Sequence, residues 1–166
     1  MPVTREDLFL RLAALGIETS TLPYPEHRTV EEGKALRGDM PGSFTKNLLL
    51  KDKKGRLFLV VAHEDSVFDL KTLHARVGGQ GRLGFATPEQ VRGLLGVDPG
   101  AITPFGLIND TEQAVVPVIE AALLAAEWLN FHPLEQTGST SIRPDDLLSF
   151  VRACGHAPLC VALVDG

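Results

Sequence analysis

No apolar run in this 166-residue sequence is long enough to span a bilayer. Its opening residues, Met1-Pro2-Val3-Thr4-Arg5-Glu6-Asp7, lack the charged-then-apolar build of a secretory leader. Cytoplasm is therefore the expected compartment, with no membrane partner. Cysteine is scarce. Cys154 and Cys160 have neither the spacing of a zinc site nor the number of a disulfide framework, and both read as buried free thiols. There is no Gly-x-Ser-x-Gly nucleophile elbow and no phosphate-binding P-loop. Gly78-Gly79-Gln80-Gly81 has the wrong spacing and context to open a dinucleotide fold. The histidines at 27, 63, 74, 132 and 156 show no two-ligand helical spacing. Neither a metal nor a cofactor is expected.

What is present suits one ordinary globular domain over residues 1–166, with 44% apolar and 22% charged residues. The net charge of −5 argues against a general nucleic-acid binder, but it is unevenly spread. From Lys34 to Arg82 there are ten basic and five acidic residues, so a basic band lies on an acidic body. Such a band suits local contact with a phosphate backbone. It equally describes a solvated hairpin tip, because Lys51, Lys53, Lys54 and Arg56 flank one turn.

Strand and helix signals interleave irregularly. Thr4 with Asp7 and Thr29 with Glu32 are helix-start signatures, and Thr87-Pro88-Glu89-Gln90 is a third. Leu8, Leu12 and Leu15 give the first helix its apolar stripe, stopped by Gly16. Segments 17–22, 83–86, 115–119, 128–131 and 159–164 read as strands. Asp69 caps a helix carrying Leu70, Leu73 and Val77, and Pro144 opens the last helix. Segments 45–51 and 56–62 form a hairpin around Asp52-Lys53-Lys54-Gly55. The pattern predicts a mixed α/β (α+β) domain, not a regular βαβ repeat.

Three segments carry unusual local chemistry. Phe44-Thr45-Lys46-Asn47 leads into Leu48-Leu49-Leu50, a run suited to a strand covered on both faces. Lys46 then sits at the strand's mouth, either snorkelling to water or holding an anion. Pro99-Gly100-Ala101-Ile102-Thr103-Pro104-Phe105-Gly106 is a proline-fixed apolar loop. It reads as a rigid source of N–H and C=O groups or as a plain surface turn. Asn130-Phe131-His132-Pro133 puts a histidine at a strand end, as an acid, a base or a structural group. The hydroxyl cluster Thr137-Gly138-Ser139-Thr140-Ser141 behind it reads as turn-forming.

Taken in order, Lys46-Asn47-Leu48, Gly100-Ala101-Ile102-Thr103-Pro104 and Asn130-Phe131-His132-Pro133 resemble the YbaK/prolyl-tRNA-synthetase editing-domain superfamily. Thr103 to Asp110 and the Gly155-His156-Ala157-Pro158 ending look like its free-standing ProX branch. The resemblance implies a compact domain with a curved, largely antiparallel mixed sheet flanked by helices. It implies a deacylase acting in trans on mischarged tRNA, Ala-tRNA(Pro) foremost, by water attack helped by a ribose hydroxyl; the basic band is consistent with a monomer that meets tRNA transiently. Prolyl-tRNA synthetase is then a transient partner. Lys46, His132 and Gly100 are its implied catalytic residues. Phe44, Asn47, Ala101, Ile102, Thr103, Pro104, Phe105, Gly106, Asn130 and Thr140 are its implied substrate contacts, with Phe44, Ile102 and Phe105 walling a small apolar pocket. Lys51, Lys53, Lys54, Arg56 and Arg82 are the expected tRNA contacts. The family often has an asparagine and threonines after His-Pro, where this sequence has Gln136-Thr137-Gly138-Ser139-Thr140. The alternatives are a deacylase for a cysteinyl or seryl group, and a tRNA-binding module that no longer catalyses.

Overall fold

A computed structural model describes residues 2–164. Its frame is a hairpin. Strand β2 (Ser43–Lys51) and strand β3 (Leu57–His63) pair antiparallel, with Lys46 opposite Ala62 and Leu50 opposite Phe58. The turn between them is held by Asp52, whose Oδ1 accepts the N–H groups of Lys54 and Arg56, both at 2.9 Å. Strand β5 (Val115–Glu120) lies parallel to β3, and β8 (Leu159–Val161) parallel to β5. On the other side, β6 (Leu129–Phe131) lies parallel to the start of β2. Strand β7 (Gly138–Ile142) then joins β6 antiparallel to β1 (Thr19–Pro23). The two-residue strand β4 (Gly84–Phe85) pairs with the far end of β2. The eight-stranded sheet runs β1-β7-β6-β2-β3-β5-β8, with β4 beside β2.

The leucine run explains why β2 is central. Side chains alternate across a strand. Leu49 enters the core built with Leu59, Val61, Phe105, Phe131 and Phe150, while Leu50 enters a second core with Phe58, Val60 and Leu73. Both faces of β2 and β3 are therefore covered, and a near-continuous apolar sequence is what that placement requires. Burying one such side chain contributes about 2 kcal/mol relative to leaving it in water.

The helices follow their capping signals. Helix α1 (Arg5–Ala14) has a full capping box from Thr4 and Asp7 and buries Leu8 and Leu12. Leu15, read as part of the stripe, is instead the C-cap residue and is exposed. Helix α2 (Val30–Arg37) is capped by Thr29, and none of its eight residues is fully buried. The segment after Asp69 forms only a short helix, α3 (His74–Val77). Helix α4 (Pro88–Leu95) starts at the Thr87–Gln90 capping box, and α5 (Pro144–Ala153) starts at Pro144.

Three expectations change. The Thr137–Ser141 hydroxyl cluster is not a turn: residues 138–142 form β7, and all five are buried. Their hydroxyls are satisfied laterally. Thr140 Oγ1 meets Thr21 Oγ1 at 2.8 Å, and Ser141 Oγ donates to Asn130 Oδ1 at 2.7 Å. The Pro99–Gly106 stretch is not an open loop but two 3-10 turns, Pro99–Ala101 and Pro104–Asn109. Finally, Cys154 is only partly buried, and Cys160 is exposed on β8.

Candidate active site

The site arises where the sheet forks. One edge of β2 pairs with β6 only at Ser43 and Phe44, and with β4 only at Leu50 and Lys51. Between those points β6 diverges, and a cavity of about 420 Å³ opens there. Its floor is Phe44, Thr45, Lys46 and Asn47 from β2 and Asn130, Phe131 and His132 at the end of β6. Tyr24 and His27 close one side, and Val30, Gly33, Lys34 and Arg37 of α2 lie across it. The structure thus brings the first and third sequence segments, 84 residues apart at Asn47 and Phe131, onto one wall.

His132 is held for a defined protonation state. Its Nδ1 lies 2.9 Å from the carbonyl oxygen of Gly138. A carbonyl only accepts, so Nδ1 carries the proton and Nε2 keeps the lone pair. Burial pushes the imidazole below the ordinary histidine value, and the neighbouring His27 and Arg5 act in the same direction against the Gly138 bond. His132 is therefore neutral near pH 7, with a basic nitrogen at Nε2.

Lys46 reaches over the Phe68 ring, 5.0 Å from its centre, and donates to the Ser66 carbonyl. Asn47 donates through Nδ2 to Thr45 Oγ1 at 3.2 Å, which leaves its buried Oδ1 without a partner among the described residues. An unpaired buried acceptor is costly in the free protein and marks a place where a donor is wanted.

Helix α2 needs an explanation, because it buries no side chain. Arg37 supplies it. Its guanidinium makes a bidentate pair with Glu64 at 2.7 and 2.9 Å and lies 3.7 Å over the Phe44 ring. Those Arg37 bonds hold the Glu64 carboxyl below its ordinary range. Gly33 permits the close approach of α2 to His27: a Cβ there would lie 2.8 Å from His27 Nε2. His27, Arg37 and Glu64 were not marked as site residues from the sequence. Only the basic window, which includes Arg37, offered a signal.

The second segment is placed differently from its expectation. Phe105 is wholly buried and does not wall the cavity, nor does Ile102. Ala101, Thr103, Pro104 and Gly106 are buried as well. Three N–H groups of this stretch are used internally: Ala101 bonds to Asp98 O, Gly106 to Thr103 O, and Phe105 to Thr103 Oγ1. Gly100 borders a separate cavity of about 250 Å³ with Glu26, Leu134, Gln136 and Thr137. Yet the segment touches the site from behind, since Phe105 stacks edge-on against Phe131 with centroids 5.8 Å apart. Thr140 also points away, toward Thr21, and the neighbouring Ser139 takes its place on the cavity wall. Asn130 spends its amide on the carbonyls of Pro41 and Ser43 and so welds β6 to the loop before β2.

The expected basic band divides into two. Lys34, Arg37 and Lys46 lie on the cavity. Lys53, Lys54, Arg56 and Arg82 are exposed around the β2–β3 turn, with Lys51 half-buried beside them. Lys46 and Lys51 are separated by about 17 Å of strand.

A prolyl-tRNA synthetase associated domain-containing protein 1 from Danio rerio is 35% identical over 160 residues, covering 95% of this chain and 86% of that protein. The prolyl-tRNA editing protein ProX of Acetoanaerobium sticklandii is 30% identical over 153 residues, covering 92% and 93% of the two chains. A crystal structure provisionally described as a trans-editing enzyme for prolyl tRNA synthetase shares the fold. Its TM-score is 0.69, with 24% identity, 98% of this chain covered and 96% of that one. The model of the aminoacyl-tRNA editing domain matches residues 24–150, which hold Lys46, Asn47 and His132. This chain belongs to the aminoacyl-tRNA editing domain family.

Proposed function

We propose that this protein is a trans-editing deacylase that hydrolyses the ester of mischarged tRNA, with Ala-tRNA(Pro) as its main substrate. The observation that carries the reading is the single cavity shared by Lys46, Asn47 and a neutral His132. Its volume suits a terminal nucleoside with a small acyl group.

In this reading Lys46 and Lys34 hold the terminal phosphate, and Asn47 Oδ1 accepts a hydrogen bond from the aminoacyl ammonium. Water, oriented by His132 Nε2 and by the free ribose hydroxyl, attacks the ester carbon. The carbonyl π electrons move to oxygen, the C–O bond to the ribose then breaks, and the ribose oxygen takes the proton. No protein nucleophile is required. The Gly100–Gly106 stretch acts indirectly, because Phe105 fixes Phe131 and thereby the ring that follows it. Discrimination follows from size: a pocket edged by Phe44, Phe131 and Tyr24 admits alanine and resists proline. The exposed residues Lys53, Lys54, Arg56 and Arg82 meet the acceptor stem.

The test is a panel of Ala-, Cys-, Ser- and Pro-tRNA(Pro) offered to the wild-type protein. Fast release of alanine with Pro-tRNA(Pro) spared is expected. Preference for the cysteinyl or seryl ester would reassign the acyl group. Binding without turnover on every substrate would leave a tRNA-binding module and sink the enzyme reading.

A further inference from the structure

Glu120 ends β5 and is 1% exposed. A carboxyl so deeply placed needs hydrogen-bond partners. Oε1 accepts the backbone N–H of His63 at 2.9 Å and the hydroxyl of Ser66 at 2.7 Å. Those two residues bracket the tight turn that follows β3, itself closed by Ser66 N–H on His63 O at 3.0 Å. Two further groups of that turn hold cations of the cavity wall. The Ser66 carbonyl accepts from the Lys46 ammonium, and Glu64 takes both guanidinium nitrogens of Arg37. Two cations on the cavity wall therefore rest on one four-residue turn, and one buried carboxyl clamps it at both ends.

We propose that Glu120 is the positioning residue for Lys46 and Arg37, acting through the clamped turn 63–66 without touching substrate. The inference rests on the reading of Lys46 as a substrate-holding cation. A lysine on a four-carbon stem has many rotamers, and a carbonyl fixed in space selects among them. Freed from Glu120, the turn keeps its own Ser66–His63 bond, Glu64 N–H on Phe44 O at 3.0 Å and Asp65 N–H on His63 Nδ1 at 3.1 Å, but Ser66, whose carbonyl receives Lys46, loses its side-chain anchor to the sheet. Misplacement by about 1 Å is enough to cost up to a hundredfold in rate.

The test is a double-mutant cycle read in kcat/KM and in the Kd for uncharged tRNA(Pro). Glu120→Ala is expected to lower kcat/KM by about tenfold or more, whereas Glu120→Gln, which keeps an oxygen acceptor at the same place, stays within about threefold of wild type. In a background lacking both cations, Lys46→Ala with Arg37→Ala, Glu120→Ala is expected to add less than about twofold, because the groups it positions are gone. Full additivity would overturn the proposal, as would failure of Glu120→Gln to rescue. Should Glu120→Ala not fold, Ser66→Ala removes one clamp bond from a surface turn and enters the same cycle, with the same two outcomes. A Lys46→Ala protein as active as wild type is a different failure: it removes Lys46 from the deacylase reading and takes this proposal with it.

Discussion

The two ends of strand β2 are opposites. At the hairpin end the buried carboxylate is fully spent: Asp52 accepts from Lys54 and Arg56 N–H on one oxygen and from Gln80 N–H at 2.9 Å on the other. At the cavity end, Asn47 keeps a buried acceptor open, His132 keeps a lone pair, and α2 spans the gap without burying a side chain. Both ends carry positive charge. One end is a closed structural joint with cations scattered around it, and the other is an incomplete set of partners around a hole. Charge alone does not separate a site from a solvated turn; unsatisfied polar atoms next to a cavity do.

The sharpest way to break this contrast is one substitution at each end. Lys46→Ala is expected to reduce kcat/KM on Ala-tRNA(Pro) by about a hundredfold or more while the melting temperature stays near wild type. Asp52→Ala is expected to do the reverse. It leaves the Gln80, Lys54 and Arg56 donors without their acceptor and lowers the melting temperature, with kcat unchanged below the transition. Steady-state kinetics beside thermal unfolding of both variants decides the matter. An inactive but stable Asp52→Ala protein would erase the distinction between the two ends.

A smaller effect is expected from the charges around the hairpin. Reversing Lys53, Lys54, Arg56 and Arg82 to glutamate together should raise KM by about tenfold and flatten the dependence of kcat/KM on salt, leaving kcat intact. If kcat falls instead, the hairpin end takes part in the chemistry. If neither KM nor the salt slope moves, the turn is only a solvated tip and tRNA approaches from another side.

How much of this was readable in the sequence differs between the same two ends. The hairpin was legible because its turn is local: Asp52 to Gly55 sits between two apolar runs. His132 was legible as a strand-end residue, whereas Lys46, expected at the strand's mouth, lies three residues inside β2 because the strand already starts at Ser43. What escaped the sequence is lateral. Strand β7 was missed because Gly-Ser-Thr-Ser resembles a turn until Thr21 and Asn130 on neighbouring strands satisfy its hydroxyls. The Pro99–Gly106 stretch was expected at the surface, but Phe105 is drawn inward by Phe131 and Phe150, two aromatic partners far away in sequence. Glu64, His27 and Glu120 gain meaning only from groups that the fold brings to them.

The finest comparison concerns two depressed pKa values with opposite chemical meaning. Asp52 lies below the ordinary carboxylate value chiefly because backbone N–H groups, Gln80 first, stabilise its charged form. His132 lies below the ordinary histidine value chiefly because burial disfavours its charged form. In both cases the unfolded chain binds protons more readily, so each contributes stability that is present above its unfolded value and fades as pH falls through the folded one. The windows differ: near and below 6.5 for His132, and below 3.8 for Asp52. Activity separates them further. If His132 Nε2 orients the attacking water, the acid limb of kcat/KM should fall at a pH below 6.5, and the imidazole, followed by NMR, should titrate at that same pH. Asp52→Asn should leave this limb in place and change only the stability curve at lower pH. A limb at or above 6.5, or one that does not coincide with the His132 titration, would assign the essential proton to another group of the cavity.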